Sequence, residues 1–337
     1  MIKLDSNENP FGPSPLAVKA MQDALAECSR YPDDDASVLR SRLAEHHGVS
    51  VEQILVTGGL TEFLGMLART FLRNGLNAVT SERSFIVYRM ATKAADAELI
   101  EVPMRGNGFD LGAIAAAVNK NSRVVFLANP NNPTGTLVRA DEVDHLLSGL
   151  PEQVVLVLDE AYYEFAADFA NRRGVNYSRS LDYVREGRDV VVLRTFSKVH
   201  GLAGVRVGYG IAPPHLVARI SGQRAMYSVS NVAQAAAMAA HKDQNHVRKT
   251  VENNSSESER LMRQISELGC ALSETWANFL YCELGRDAAG FSEEMAAKGI
   301  MVRPLGQWGA PQAIRVTVGT PEQNDALLGA WRKVRHS

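Results

Sequence analysis

Residues 190–206 read VVVLRTFSKVHGLAGVR, and the lysine of this stretch, Lys198, comes shortly after a run of four apolar residues. Such a run predicts a strand covered on both faces, as in a parallel sheet. In open α/β sheets the functional groups lie beyond the carboxyl ends of the strands. Thr195, Ser197 and Arg206 are close to the lysine in sequence. This combination suits a phosphorylated aldehyde cofactor, because the amine can form a Schiff base and the hydroxyl and guanidinium groups can bind the phosphate. The alternative is that Lys198 is an ordinary solvent-exposed loop lysine.

Six further apolar segments alternate with helical stretches on both sides of this strand. They are residues 54–56, 77–79, 98–101, 124–127, 154–158 and 207–211. The alternation predicts an α/β fold in which a mostly parallel seven-stranded sheet is covered by helices on both faces.

The regions before and after the predicted sheet have different patterns. The elements predicted there are helices over residues 16–28 and 36–46, one long helical run over 231–268, strands over 279–283, 301–303 and 314–318, and a closing helix. The pattern predicts three parts. These are an N-terminal arm and helix (1–30), a large cofactor-binding domain (31–230), and a long connecting helix with a smaller α+β C-terminal domain (231–337).

The composition of the 337-residue chain excludes several classes of function. A net charge of -2 leaves no basic surface for nucleic acid, and no apolar run approaches the length of a membrane span. The first five residues lack the apolar core of a signal peptide. Three widely spaced cysteines, Cys28, Cys270 and Cys282, predict reduced thiols in a cytoplasmic protein, and no histidine or cysteine spacing indicates a metal site.

Two strand ends carry groups suited to a phosphorylated ring. Gly58 and Gly59 join the first strand to a helix that begins near Leu60 and Thr61. Free backbone amides and the helix dipole at such an end bind a phosphate, and the Thr61 hydroxyl adds a donor; a plain tight turn is the alternative. Phe85 follows the next strand, where an aromatic side chain either stacks on a flat heteroaromatic ring or packs in the core.

Two more strand ends carry groups suited to the same ring. Residues 129–135 read NPNNPTG, a rigid loop whose Asn132 amide can donate to a phenolate oxygen, unless the loop is only a structural turn. Asp159 ends the most apolar strand, where a buried carboxylate requires a cation such as a protonated pyridine nitrogen. The alternative for Asp159 is a helix cap. Tyr162 lies three residues further on, within reach of the oxygen of the same ring.

Together these positions predict an enzyme that uses pyridoxal 5'-phosphate (PLP). Asp159 would pair with the ring nitrogen, Lys198 with the aldehyde, and Phe85 would cover one face of the ring. Asn132 and Tyr162 would meet the ring oxygen. The groups predicted to hold the phosphate belong to Leu60, Thr61, Thr195, Ser197 and Arg206. The predicted catalytic residues are Lys198, Asp159 and Tyr162.

Six motifs give the chain a resemblance to a known family. They are LDSNENP at 4–10, YPD at 31–33, NNPTG at 131–135, DEAY at 159–162, SK at 197–198 with GVR at 204–206, and IRVTVG at 314–319. With these motifs the chain resembles the histidinol-phosphate aminotransferases, which are class I/II PLP-dependent aminotransferases of fold type I. The resemblance covers nearly the whole chain.

The resemblance implies an activity and a set of substrate contacts. The reaction would convert histidinol phosphate and 2-oxoglutarate to imidazole acetol phosphate and glutamate. The protein would be a homodimer with shared active sites, in which Tyr31 reaches the cofactor phosphate of the neighbouring subunit. Arg315 matches the arginine that binds a carboxylate in the family, and a planar two-pronged donor suits that task. Arg303 falls near the position that binds substrate phosphate, and Asn7 is placed with these substrate-binding residues.

Several positions depart from the family pattern, and they bear on the substrate rather than on the cofactor. They are the short segment before residue 4, Leu60-Thr61-Glu62, Arg83-Ser84-Phe85 and residues 226–231. An aminotransferase for aromatic or other amino acids, or a PLP-dependent decarboxylase similar to threonine-phosphate decarboxylase, is therefore an alternative. A cofactor-binding regulatory module is disfavoured because no basic stretch is present. A nucleotide dehydrogenase is disfavoured because GVRVGYG at 204–210 lacks the dinucleotide fingerprint spacing.

Overall fold

The computed structural model describes residues 1–335 of the chain. The α-helices are α1 Pro15–Ala24, α2 Ser37–His47, α3 Leu60–Phe71, α4 Val87–Ala94, α5 Leu111–Ala117, α6 Ala140–Gly149, α7 Tyr163–Arg173, α8 Ser180–Arg185, α9 Pro214–Ser221, α10 Asn231–Lys242, α11 Gln244–Glu267, α12 Ala288–Ala297 and α13 Pro321–Arg335. The strands are β1 Ile2–Lys3, β2 Ile54–Thr57, β3 Asn77–Ser81, β4 Glu98–Val102, β5 Ser122–Ala128, β6 Val155–Asp159, β7 Val190–Thr195, β8 Gly208–Ile211, β9 Ala271–Leu272, β10 Phe279–Glu283, β11 Ile300–Met301, β12 Arg303–Leu305 and β13 Ala310–Thr317. Within the described residues, none of these helices has the length and apolar character needed to span a membrane.

A seven-stranded sheet forms the centre of the large lobe, in the order β2-β8-β7-β6-β5-β3-β4. Neighbouring strands are parallel except at β8, which lies antiparallel between β2 and β7. The predicted mostly parallel sheet of seven strands is therefore confirmed. Along β7, Val190 and Val192 belong to one apolar cluster, whereas Val191 and Leu193 belong to another. Successive side chains of a strand point to opposite faces, so a strand buried on both faces is a continuous apolar run.

Three parallel neighbours, β5, β6 and β7, end at the same edge of this sheet. Ala128 is in register with Asp159, and Asp159 is in register with Leu193. The segments that leave these strands therefore begin side by side. This register brings the loop after β5, the end of β6 and the segment that contains Lys198 to one place.

A smaller α+β lobe is built on a four-stranded antiparallel sheet in the order β12-β13-β10-β9. Its core includes Phe291 of α12 and Trp331 of α13. The N-terminal strand β1 pairs in parallel with β11, with Ile2 opposite Ile300, and Leu4 is buried in the same core. The start of the chain is thus anchored on its C-terminal lobe, and residues 5–7 pass on to the edge of the central sheet.

Two predicted elements of the C-terminal half differ in the structure. The single helical run predicted over residues 231–268 is two helices, α10 and α11, which meet at Asp243. The Asp243 side chain accepts a hydrogen bond from the backbone amide of His246 at 3.1 Å and so caps α11. The strand predicted over residues 301–303 is divided at Val302 between β11 and β12, because these two strands pair with different partners.

Candidate active site

A cavity of about 440 Å³ lies at the carboxyl edge of the central sheet, between the two lobes. Its size is in the range of small-molecule sites in proteins. Of the residues predicted from the sequence, those that line it are Asn7, Leu60, Thr61, Phe85, Asn132, Asp159, Tyr162, Thr195, Ser197, Lys198, Arg206, Arg303 and Arg315. The structure thus brings together every predicted site residue except Tyr31.

The start of α3 forms one end of this cavity. Gly59 precedes the helix with a φ of +90°, a backbone conformation that favours glycine. A Cβ atom at Gly59 would lie 2.5 Å from a terminal nitrogen of Arg206, so the backbone passes close to that guanidinium. The Glu62 carboxylate accepts the amide of Gly58, and the first-turn amides of α3 have no acceptor within the helix. Backbone amides, the helix dipole and a guanidinium together form a site for an anion.

The segment after β7 contributes the hydroxyl groups beside this anion site. The Thr195 hydroxyl accepts the backbone amide of Ser197 at 3.1 Å, which holds the turn that leads to Lys198. Arg206 has a φ of +62°, and one of its terminal nitrogens donates to the carbonyl of Ala203 at 2.9 Å. Thr195 and Ser197 line the cavity together with Arg206.

Asp159 is the last residue of β6 and is buried, with 4% of its surface exposed. Its carboxylate accepts the Tyr88 hydroxyl at 2.9 Å and the amide of Ala161 at 3.2 Å. Burial raises the pKa of Asp159 to about 6, although both hydrogen bonds act in the opposite direction. The side chain does not cap α7, because that helix starts at Tyr163 and its first-turn amides receive no side-chain hydrogen bond from the capping position.

Lys198 lines the cavity from the segment after β7. Its Nζ atom is 3.4 Å from the backbone carbonyl oxygen of Ser6 and 5.5 Å from the centre of the Tyr162 ring. Burial is the main cause that lowers the pKa of Lys198 to about 8, and the positive charge of Arg315 adds to it. The carboxylate of Glu8 acts in the opposite direction. A lysine with such a pKa is an amine nucleophile and proton carrier close to neutral pH.

Residues of the N-terminal arm complete the wall of the cavity beside the lysine. The Asn7 side-chain amide donates to the Tyr162 hydroxyl at 2.9 Å, and the Asn7 backbone amide donates to the hydroxyl of Thr317 at 2.9 Å. Asn278 donates to the Asn7 carbonyl at 3.2 Å. Asn7 therefore connects a tyrosine of the large lobe to β13 of the small lobe, and its role as a substrate-binding residue stays a prediction.

Two arginines of the small lobe line the cavity. Arg315 of β13 is 6% exposed and donates to the Asn132 side-chain oxygen at 2.5 Å and to the Asp5 carbonyl at 2.8 Å. Burial lowers the pKa of Arg315 to about 10, which still leaves the guanidinium charged at neutral pH. Arg303 of β12 donates to the Asp5 carboxylate at 3.0 Å and to the Asp5 carbonyl at 3.2 Å. Because its oxygen is engaged by Arg315, the Asn132 amide nitrogen is left to donate to a ligand.

Tyr31 lies outside the cavity. It is 81% exposed, and its ring stacks on that of Tyr227 with 4.5 Å between the ring centroids. The prediction for Tyr31 concerns a neighbouring subunit, so it stays a prediction.

Sequence reasoning missed several residues at this site. Ser6 and Trp308 line the cavity. Asp5 accepts hydrogen bonds from both Arg303 and Arg315, and Tyr88 donates one to Asp159. Tyr88 follows Phe85 by three residues, and the two rings are in edge-on contact with 5.7 Å between their centroids. Asp5 is part of the motif at residues 4–10, but nothing in the sequence indicates its distant partners. Trp308 lies on a single helical turn after β12, and only the packing of the lobes brings it to the cavity.

The charges of this cavity fit PLP. Within residues 1–335, Asp159, Lys198 and Arg206 form no ion pair, and a buried charge such as that of Asp159 ordinarily has a partner. PLP would supply a partner for each of them: its pyridinium nitrogen for Asp159, its aldehyde for Lys198 and its phosphate for Arg206. Phe85 is partly buried and lines the cavity, where its side chain can stack on one face of the PLP ring.

Comparisons with known proteins agree with this arrangement. The family profile "Aminotransferase class I and II" matches residues 1–330. Histidinol-phosphate aminotransferase 2 of Pseudomonas fluorescens (strain Pf0-1) is 41% identical over 334 residues, which cover 99% of this chain and 89% of that protein. Histidinol-phosphate aminotransferase of Moorella thermoacetica is 41% identical over 335 residues, which cover 99% of this chain and 85% of that protein. The crystal structure of histidinol-phosphate aminotransferase from Sinorhizobium meliloti in complex with pyridoxal-5'-phosphate is similar with a TM-score of 0.91 and 28% identity, over 99% of this chain and 90% of that chain.

Proposed function

The chain belongs to the class I and II aminotransferases, and we propose that it transfers the amino group of histidinol phosphate to 2-oxoglutarate, releasing imidazole acetol phosphate and glutamate. It is a PLP-dependent aminotransferase. The observation that carries the choice of donor is the second cationic wall of the cavity, Arg303 and Arg315, which is separate from the anion site at α3 and Arg206. These two arginines can bind either the phosphate of an amine donor or the carboxylates of a keto-acid acceptor. The names and identity of the relatives support the same donor.

Each residue of the site has a role in this proposal. When bound, the cofactor supplies an aldehyde that bonds covalently to amines and a ring that accepts the electron pair released at the α-carbon of the donor. Asp159 holds a proton at the ring nitrogen, and Asn132 with Tyr162 fixes the ring oxygen. Lys198 removes the proton from the α-carbon, a step for which a pKa of about 8 is suited near neutral pH. Asp159 and Arg315 are buried, and burial strengthens their electrostatic contacts.

The two small-lobe arginines bind the anionic end of either substrate. Arg315 is buried and charged, and its hydrogen bonds to Asn132 and to the Asp5 carbonyl fix the plane of the guanidinium. Arg303 is more exposed, with 40% of its side-chain surface accessible, and it is paired with Asp5. A fixed guanidinium is suited to two-pronged recognition of a carboxylate or a phosphate.

A spectral screen of amine donors tests this proposal. The PLP-loaded protein is mixed with histidinol phosphate, phenylalanine or glutamate, and the loss of the visible cofactor band is followed in a single turnover. We expect histidinol phosphate to exceed phenylalanine in kcat/KM by at least about 100-fold, since contacts to a charged phosphate are worth a few kcal/mol. Release of carbon dioxide, or a preference for phenylalanine, would overturn the choice of donor and leave the PLP chemistry in place.

A matched pair of variants sharpens the screen. Arg303→Gln should weaken the reaction of histidinol phosphate more than that of phenylalanine. Arg89→Gln is the control, because Arg89 is paired with Glu101 on the surface and does not line the cavity. Equal losses for both donors in the Arg303 variant would argue against a phosphate contact.

The proposed enzyme acts as a homodimer with shared active sites. Leu25, Tyr31 and Met226 are apolar and exposed by 61%, 81% and 72%, which is typical of surfaces that are covered by a partner. The segment of Met226 borders the anion site, since the carbonyl oxygen of Ser228 is 3.2 Å from the Cβ position of Gly58. The low cysteine content supports the cytoplasm as its location.

Hybrid dimers test whether Tyr31 acts on the neighbouring subunit. Sedimentation velocity should first show a dimer. Lys198→Ala and Tyr31→Ala subunits are then mixed and allowed to exchange. If Tyr31 serves the neighbouring site, the hybrid contains one intact site and regains activity that neither parent has. No regained activity in a proven hybrid would place Tyr31 outside the partner's site.

A further inference from the structure

Within residues 1–335, the carboxylate at the end of β6 has one side-chain hydrogen-bond partner, and that partner is rigidly held. Tyr88 lies in the first turn of α4, is 1% exposed and donates its hydroxyl to Asp159 at 2.9 Å. Its ring is stacked on Phe126 of β5, with 4.6 Å between centroids and 5° between planes. Phe85 meets the same ring edge-on at 5.7 Å. Two aromatic contacts therefore fix the direction in which the hydroxyl points.

The chemistry of this pair defines which atom carries the proton. An ionised carboxylate only accepts hydrogen bonds, so the phenol must be the donor. Burial, and next the charge of Asp159, raise the pKa of Tyr88 well above its usual value, so the phenol keeps its proton. A hydrogen bond to an ionised acceptor is about twice as strong as one between neutral groups. Tyr88 therefore stabilises the charged form of Asp159 in surroundings that otherwise favour the neutral form.

We propose that Tyr88 is a positioning residue of this enzyme, whose hydroxyl keeps the buried Asp159 carboxylate ionised and oriented so that the proton stays on the ring nitrogen of bound PLP. Without that hydrogen bond the carboxylate is a stronger base, and it takes the proton from the ring nitrogen. An unprotonated ring is a poorer acceptor of electrons. The inference requires the cofactor but not the proposed amine donor, so the two can fail separately.

The remaining charged and titratable groups around Asp159 do not replace Tyr88. Glu160 follows it in the chain and raises its pKa, while Lys198, from the segment after β7, lowers it. The Tyr162 hydroxyl accepts a hydrogen bond from Asn7 and, within residues 1–335, makes none to Asp159. The Lys198 amine is needed for the aldehyde and the substrate proton, so its charge is not constant during the reaction. The hydroxyl of Tyr88 is present throughout.

The test compares two tyrosine variants of the holoenzyme. Tyr88→Phe removes the hydroxyl and keeps the ring. Tyr183→Phe is the matched control, because Tyr183 is also buried and donates to a carboxylate, that of Asp144 at 2.7 Å, away from the cavity. The main readout is the nitrogen-15 chemical shift of ring-labelled PLP bound to each protein, which reports whether the ring nitrogen is protonated. The dissociation constant of PLP, and kcat and KM for glutamate, are measured beside it.

We expect the ring nitrogen of the Tyr88 variant to shift towards the unprotonated value at a pH where the wild type and the Tyr183 variant are protonated. The PLP dissociation constant should rise by about 10-fold to 100-fold and kcat should fall by at least about 10-fold, with KM changed less than about twofold. A wild-type nitrogen shift in the Tyr88 variant overturns the proposal, whatever happens to activity.

A second variant keeps the test valid if Tyr88→Phe does not fold. Replacing Tyr88 by 3-fluorotyrosine retains the ring and the hydroxyl but makes the phenol a stronger donor. The ring nitrogen should then remain protonated to at least as high a pH as in the wild type, with unchanged affinity for PLP. A loss of the ring proton in this protein would show that the shape at position 88, and not its hydrogen bond, controls Asp159.

Discussion

Mild acid should destabilise this protein through histidines that are buried in the neutral form. His47 of α2 is 7% exposed, and its Nε2 atom lies 3.0 Å from the Tyr209 hydroxyl. His200 is equally buried, and its Nδ1 atom has no hydrogen-bond partner within residues 1–335. Burial lowers the pKa of His47 to about 2 and that of His200 to about 3, and nearby positive groups add to both effects. Neither ring can gain a proton in the folded state near pH 5.

The size of the effect follows from the difference in proton binding. In the unfolded chain a histidine has a pKa of about 6.5, so at pH 5.0 it is almost fully protonated while the folded state is not. The unfolded state then binds more protons, and the free energy of unfolding decreases as the pH falls below 6.5. At pH 5.0 each histidine contributes a loss of about 1.36 × 1.5, or about 2 kcal/mol, relative to pH 7.5. His47 and His200 together contribute about 4 kcal/mol.

Asp159 acts in the opposite direction and must be separated from the histidines. Its folded pKa of about 6 is higher than the unfolded value, so its protonation stabilises the cofactor-free protein as the pH falls below 6. A comparison of variants at each pH cancels this contribution. His47→Gln retains a hydrogen-bonding side chain beside Tyr209 but does not titrate. Its loss of stability between pH 7.5 and 5.0 should be smaller than that of the wild type by about 2 kcal/mol.

Urea unfolding at several pH values and one protein concentration measures this difference. His145→Gln is the control, because His145 is exposed on α6 and should leave the pH dependence unchanged. If the His47 variant loses as much stability in acid as the wild type does, the argument from buried neutral histidine is wrong.

Three further outcomes are expected at the active site. Lys198→Ala should lower kcat by at least about 1,000-fold and abolish the change of the visible cofactor band on adding amine; full turnover would exclude its role. Arg315→Lys should raise KM for 2-oxoglutarate by about 10-fold to 100-fold with a smaller change in kcat, because one ammonium cannot keep the hydrogen bonds to both Asn132 and the Asp5 carbonyl of the N-terminal arm; steady-state kinetics with an unchanged KM would contradict this. Gly59→Ala should weaken PLP binding about tenfold in equilibrium dialysis, because φ at this position is +90° and the new Cβ would displace Arg206. Unaltered binding would mean that the turn before α3 is not the phosphate site.

Much of the fold and of the cofactor site was predictable from the chain because the relevant signals are local. Most strands of the central sheet contain a short apolar run, and Asp159 and Lys198 stand at or just after the ends of two such runs. Parallel neighbouring strands bring their carboxyl ends to one edge, so groups at those positions are expected to meet. The antiparallel placement of β8 between β2 and β7 was not predictable, since an apolar run of four residues has no direction of its own.

Contacts between distant segments are the other part that the sequence did not reveal. Tyr88 and Asp159 are 71 residues apart, and Asp5 and Arg315 are 310 apart, yet each pair is joined by a hydrogen bond. The break at Asp243 likewise lies within a pattern that reads as one helix.

The sequence by itself therefore determined the order of elements, the central sheet and the groups at its carboxyl edge. Only the tertiary structure decided how the N-terminal arm, α4 and the small lobe close around those groups. The physical reason is that periodicity records which side of a local element is buried. Which distant element covers that side depends on the packing of the whole chain.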